Sequence, residues 1–378
     1  MKITRKTVCI LLAALSVVLL FAGCKKAAKP FAVGVAKVKK SGNVLLDTTF
    51  DEMNAHGVEV GDIITVTVAD RNFELPVGTS YTDVDVGCMV CRFDTEDNEI
   101  ALAINMGSFA SETGIGEKQT IDEDPGYKWD LFVTEVEIAL KEKQGYRTEY
   151  DARNLTRTNA RADYAALSDE DFANFRAVKV TGLRESILYR SSSPIDPDLE
   201  RCEYVMRAME NAGIRSVINL GDSEAAMTAF EAYADSFYSR CSVLNVEMGY
   251  GFTNVEFGEK VKSCVLFLIE NDGPYLIHCK EGKDRTGMLC AILECFVGVS
   301  VDEVKADYMA TYSNFYHVEQ GDETYGIILR NNLEKTLCAL FDVKDLETAN
   351  LKEKAESYLL SIGLTAEQLD ALKAKLGA

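Results

Sequence analysis

The residues best suited to chemistry lie together in His-Cys-Lys-Glu-Gly-Lys-Asp-Arg-Thr-Gly, residues 278–287. Of the eleven cysteines, Cys279 alone has an arginine six residues further on, Arg285. With sixteen arginines in 378 residues, about half such a match is expected by chance, so the flanking sequence has to decide. Tyr275-Leu276-Ile277 reads as a buried strand running straight into the cysteine, and a helix starts within a residue or two of the arginine. Gly282 falls mid-loop and Gly287 on the first helical turn, places where backbone turns tightly or comes close to another group. A loop wrapped around a helix N-terminus aims successive N–H groups at one point, which suits a phosphate. At the base of that ring the dipole, the N–H groups and Arg285 favour thiolate over thiol at Cys279. A thiolate facing phosphorus is a nucleophile. Arg285 offers a planar pair of donors for two phosphate oxygens, and Thr286 a hydroxyl to help the sulfur leave. Asp284 is the nearest carboxyl able to protonate the leaving oxygen; Asp222 and Glu224, in the loop after the strand "SVINL", compete for that role. Lys280, Glu281, Gly282, Lys283, Asp284 and Arg285 are therefore read together as the phosphate-binding loop. His278 is expected to position the loop rather than act as a base. No metal or cofactor is called for, because the loop amides and Arg285 neutralise the phosphate.

The elements around this loop divide the chain. From about residue 31 to 145 the pattern is β-rich. "DIITVTVADRNFELPVG" alternates β-branched and polar residues, with Pro76 and Gly78 ending the run; "VDVGCMVCRF" and "EIALAINMG" are further strands. "LFVTEVEIALKEK" reads as strand, or as strand continuing into helix. Short strands between turn signals argue for a small barrel or sandwich. The polar stretch 146–164 is read as a connection, partly helical near its end. From Asn174 onward helices and short apolar strands alternate, which implies a mostly parallel sheet flanked by helices. Thr365 and Gln368 have capping-box spacing at the start of a final helix. Cys88 and Cys91 are three apart in a strand, so they point to opposite faces and neither chelate nor pair; they read as buried structural thiols.

The first 24 residues are set apart from the fold. Lys2, Arg5 and Lys6 precede the apolar run Val8 to Ala22, which is short for a membrane-spanning helix and suited to an export signal. Leu20-Phe21-Ala22-Gly23-Cys24 resembles a bacterial lipoprotein signal, in which Cys24 is lipidated and tethers the protein to the outer face of the cell membrane. Without Cys9 and Cys24 nine cysteines remain, so at least one is unpaired within the chain. The formal net charge of -20 repels nucleic acid and anionic lipid at long range, so any bound anion must be held by a local cluster of donors.

The loop "HCKEGKDRTG" resembles the signature of the cysteine-dependent tyrosine and dual-specificity phosphatases, and its Gly-Lys-Asp-Arg-Thr-Gly ending that of the bacterial atypical tyrosine/lipid phosphatases. "NFRAV" with "ILYRSS", "GIRSVINLGDSE", "DEVKADYMATYSN" and "YLLSIGLTAEQLDALKAKL" resemble other parts of the same family in order, over about residues 165–378. The resemblance implies an α/β phosphatase domain acting through a thiophosphate on Cys279, with a phosphorylated protein as substrate. Asn219-Leu220-Gly221 stands where the family usually has Asp-Leu-Arg, which turns the acid role toward Asp284. Lysines at both 280 and 283 resemble the loop of tensin-type phosphoinositide phosphatases, which implies phosphoinositides or inositol phosphates as the alternative substrates. A non-catalytic phospho-ligand binding protein is the rival of another class. "GVEVGDIITVTV", "TSYTDVDVG" and "EIALAINMGSFA" resemble the small barrel domain of S-adenosylmethionine hydroxide adenosyltransferases; without that family's partner domain, a binding or spacing module of unknown ligand is expected.

Overall fold

A computed structural model describes residues 29–122 and 124–377. The export signal and Cys24 lie outside the described residues. The chain divides into two compact units between Tyr146 and Arg147.

The first unit contains β1 (Phe31–Val38), β2 (Val44–Leu46), β3 (Ile63–Val68), β4 (Arg71–Gly78), β5 (Met89–Asp94), β6 (Glu99–Ile104), β7 (Gly116–Thr120), β8 (Tyr127–Leu131) and β9 (Glu135–Glu142). Seven of them close a barrel in the order β1-β2-β6-β5-β4-β3-β9, while β7 and β8 form a separate hairpin. Alternate residues of β3 (Ile64, Val66, Val68) fill the interior with Leu75, Val77, Ile100 and Leu102, as the two-residue period of a strand requires. The run 62–78 is a hairpin rather than a single strand. It folds at Ala69-Asp70, with Ala69 at φ +50°, and Pro76 lies inside β4 opposite Ile63. The segment 131–143 holds strand only, over Glu135–Glu142. Cys91 is buried but Cys88 is exposed, so only one of the two thiols is a core residue.

The second unit opens with a helix, Arg147–Arg153, at the start of the polar stretch, and a 3-10 turn, Arg161–Tyr164, lies at its end. Its sheet has β10 (Arg176–Ala177), β11 (Leu188–Ser191), β12 (Ser216–Asn219), β13 (Ser242–Asn245) and β14 (Tyr275–His278), in the order β10-β11-β14-β12-β13. Only β10 is antiparallel to its neighbour. Val217 and Leu276 face one hydrophobic cluster while Ile218 and Ile277 face another, so the sheet is covered on both sides. β14 is the middle strand and feeds the helix Asp284–Val297 through five residues. That helix is buried continuously from Thr286 to Phe296 and stops at Gly298, whose φ of +96° suits a glycine cap. Each leucine or isoleucine it buries contributes about 1.5–3 kcal/mol, which fixes the helix start, and hence the loop, to the sheet. The last helix, Ala366–Leu376, carries the capping box between Thr365 and Gln368. Among the described residues no helix is long and apolar enough to cross a membrane.

Candidate active site

Cys279 follows the last residue of the central strand and is 3% exposed. It lies on a cavity of about 180 Å³ also lined by Tyr250, Lys280, Glu281, Lys283, Asp284 and Arg285. The N–H groups of residues 280–285 find no acceptor among the described residues. Such a run of unpartnered amides at a helix N-terminus is a ready receptor for an oxyanion. Gly282 makes the turn possible. Its φ is +69°, and a Cβ there would sit 2.1 Å from the Ser191 carbonyl oxygen. Gly287 has the second constraint, with the Tyr308 ring 2.7 Å from where a Cβ would be.

Arg285 reaches over the site with loose anchoring. One terminal nitrogen donates to the carbonyls of Leu220 and Met248, both at 3.4 Å, and Nε is buried with no partner among the described residues. The Tyr250 ring stacks on the guanidinium at 5.0 Å. Asp284 lines the same cavity and accepts from the Tyr312 hydroxyl at 3.3 Å. Burial raises its carboxyl above the ordinary aspartate range, against the pull of Lys283. A carboxyl that keeps its proton longer suits a general acid. His278 is fully buried. Its Nε2 meets the Tyr238 hydroxyl at 2.8 Å, its Nδ1 meets the Cys279 carbonyl at 3.3 Å, and burial lowers it to about 4. It is therefore neutral at pH 7, and its ring ties the strand end to Tyr238.

The two lysines of the loop differ. Lys283 has a 19% exposed side chain, lies over the Tyr312 and Tyr316 rings, and pairs with Glu281 at 3.4 Å and Asp284 at 3.7 Å. Burial works against its charge, but Asp284, Tyr316 and Glu281 outweigh it and hold the ammonium above the usual lysine range. Lys280 is 50% exposed and pairs with Asp196 at 2.9 Å. Glu281 is fixed by Arg157 at 2.8 Å and by the Tyr316 hydroxyl at 2.8 Å.

Other expected residues lie elsewhere. Neither Asp222 nor Glu224 lines the cavity. The Asn219 side chain accepts from the N–H groups of Gly221 and Asp222, folding this loop on itself, and Glu224 is exposed at the start of a helix. Thr286 makes no hydrogen bond to the sulfur; its buried hydroxyl has no partner among the described residues. Sequence reasoning passed over Tyr250 and Arg157. Tyr250, 66% exposed between Gly249 and Gly251, carried a readable signal: an aromatic ring raised on two flexible residues. Arg157 carried none, being 124 residues from its partner Glu281. In the barrel, Asp94, Asp97 and Glu99 stand close enough to share a cation, but Asp94 already pairs with Arg92 and Glu99 with Lys39.

A cysteine at the end of the middle strand of a mostly parallel sheet, beside free amides and an arginine, makes a site suited to a phosphate. A family model described as the tyrosine phosphatase family matches residues 145–378, and the chain belongs to that family. The match does not extend over the barrel. No curated protein matches the chain. Three solved structures illustrate the likenesses. An uncharacterized conserved protein from Thermotoga maritima is 24% identical over 29% of this chain and 35% of its own, with a TM-score of 0.23. The chain thus spans about a third of that protein. The core catalytic domain of the PP-IP phosphatase SIW14 from S. cerevisiae, in complex with citrate, is 22% identical over 42% of this chain and 93% of its own, TM-score 0.26. P. aeruginosa TpbA, in complex with pTyr, is 19% identical over 41% of this chain and 94% of its own, TM-score 0.27.

Proposed function

We propose that the chain hydrolyses phosphate monoesters on proteins, of the tyrosine or dual-specificity type, through a thiophosphate on Cys279. The observation that carries this reading is the cavity lined by Cys279, Arg285 and Asp284, together with the six amides of residues 280–285 that lack acceptors among the described residues. In the first step the Cys279 sulfur forms a bond to phosphorus while the bond to the leaving oxygen breaks, and Asp284 gives that oxygen its proton. In the second step a water oxygen attacks phosphorus, the S–P bond breaks, and the Asp284 carboxylate takes the proton from the water. Arg285 and the amides hold the equatorial oxygens throughout. The Thr286 hydroxyl, without a partner at rest, is placed on the first helical turn to donate to the departing sulfur.

The inositol-lipid alternative needs cations for further phosphates. The enclosure of Lys283 by two rings and two carboxylates argues against it and leaves Lys280, paired with Asp196, as the more exposed of the two. We also place the protein on the outer face of the membrane through lipidated Cys24, on the sequence of residues 2–24 alone; Cys24→Ala should release it from the membrane fraction, and retention there would end that proposal.

The full chain should turn over an aryl phosphate in the presence of a chelator, and Cys279→Ser should abolish turnover while still binding phosphate. A wild type that binds phosphate but hydrolyses neither phosphopeptides nor inositol lipids would instead be a binding module. Lys280→Ala should affect phosphotyrosine and inositol polyphosphates alike; a selective loss on the latter would favour the alternative.

A further inference from the structure

The free amides of the loop raise the question of where its carbonyls go. A peptide unit that turns its N–H toward the anion turns its C=O away, and a buried carbonyl without a donor costs about 1–3 kcal/mol. Five consecutive carbonyls have donors on the outside of the loop. The Cys279 oxygen meets His278 Nδ1 at 3.3 Å. The Lys280 oxygen accepts from the Ser193 N–H at 2.8 Å. The Glu281 oxygen accepts from Asn174 Nδ2 at 2.9 Å. The Gly282 oxygen accepts from an Arg190 terminal nitrogen at 2.7 Å and from the Thr311 hydroxyl at 3.4 Å. The Lys283 oxygen accepts from the Gly287 N–H at 2.7 Å and from Arg190 at 3.5 Å.

We infer that Arg190 and Asn174 are positioning residues that hold the amides of the phosphate loop toward the substrate by withdrawing its carbonyls from behind. Neither residue lines the cavity, and both are fully buried. Arg190 bridges two tasks with its fork. One terminal nitrogen binds the Asp307 carboxylate and the other the Gly282 carbonyl. Asp307 is shared with Arg176, whose guanidinium also donates to Asn174 Oδ1 at 2.6 Å, so the amide of Asn174 is oriented with Nδ2 toward the loop. Asn174 has φ +51°, a conformation asparagine adopts more readily than most residues. Glu294 also belongs to this buried group. Burial and the nearby Asp307 push its carboxyl well above the ordinary glutamate range.

The inference rests on the reading of this loop as a phosphate site. Its test uses the full chain with vanadate and inorganic phosphate as probes, beside turnover of an aryl phosphate. Arg190→Lys keeps a buried cation, but one ammonium cannot reproduce a fork spanning Asp307 and the Gly282 carbonyl. Asn174→Asp is isosteric and places an acceptor against the Glu281 carbonyl. In each variant that melts cooperatively, affinity for both anions should fall at least about tenfold, the size of one lost charge-assisted hydrogen bond, with kcat falling alongside. Protection of Cys279 from iodoacetate by either anion should weaken in parallel, a change that a purely structural weakening elsewhere in the fold would not produce. Arg190→Met should lose more than Arg190→Lys. Folded variants with wild-type anion affinity and unchanged protection from iodoacetate overturn the positioning role while leaving the phosphatase reading intact. A wild type that binds neither anion overturns both.

Discussion

The barrel and the α/β unit bury polar side chains for different ends. In the barrel, Asp83 accepts from the N–H groups of Thr79 and Ser80, at 2.7 and 2.9 Å, and so closes its own turn. Asp62 accepts from the Glu59 and Gln144 N–H groups, both at 2.8 Å, and pins the segment after β9. Asp83 fastens a single turn, and Asp62 ties the segment after β9 back to the turn before β3. In the α/β unit Arg190, Asn174, Thr311 and His278 come from different elements and act on one five-residue loop. Their thiols differ in the same way. Cys91 is enclosed by aliphatic barrel strands, and burial pushes it up to about 12, whereas Cys279 opens onto a cavity edged with donors. Buried carboxylates that tie barrel backbone to barrel backbone stabilise a fold. Buried groups gathered from distant segments onto one loop prepare a site.

Four measurements would break or sharpen that contrast. The largest effect is expected at Asp284. Its raised carboxyl is active while protonated, so turnover should decline as pH rises through its titration. Asp284→Asn should remove this alkaline limb and slow esters with poor leaving groups about a thousandfold, good ones less. An unchanged profile would return the acid role to Asp222 or Glu224. Next is Gly282→Ala, which meets both the positive φ and the Ser191 carbonyl; turnover should fall at least about a hundredfold, since the loop must open to admit a Cβ. A functional Gly282→Ala enzyme would show the frame behind the loop to be loose. Third is the pH dependence of stability. His278 titrates near 4 when folded against 6.5 as the ordinary value, so the unfolded chain takes up the proton first on acidification. The stability from its neutral form is complete above pH 6.5 and lost as pH falls toward 4, by about 2–3 kcal/mol. Thermal melts of wild type and His278→Gln across that window should differ in slope; parallel curves would assign the acid sensitivity elsewhere. The smallest effect is expected at Cys88→Ser in the barrel, within about 0.5 kcal/mol of wild type and without effect on turnover. A larger loss would give that exposed thiol a role the barrel structure does not explain.

The strand, loop and helix of residues 275–297 were legible because each is local: an apolar run, two glycines, then a helix too apolar for any place but the core. The hairpin at Ala69-Asp70 was harder to read, as it turns without glycine or proline. Cys88 was misjudged because strand alternation assigns opposite faces without saying which one is covered. The choice among Asp284, Asp222 and Glu224 stayed open for a similar reason. All three are near the loop in the chain or in the fold's connectivity, but only Asp284 lines the cavity.

What was legible in the sequence alone is the candidate set, Cys279 with Arg285 and Asp284 on one short segment, because a phosphate loop is built from consecutive residues whose spacing is written in the chain. Only the tertiary structure decided which cations are enclosed, which of the candidate carboxyls lines the cavity, and what the carbonyls of the loop bind. Those depend on side chains such as Asn174 and Arg190, 107 and 92 residues from the carbonyls they bind, and contacts at that separation exist only once the sheet has assembled.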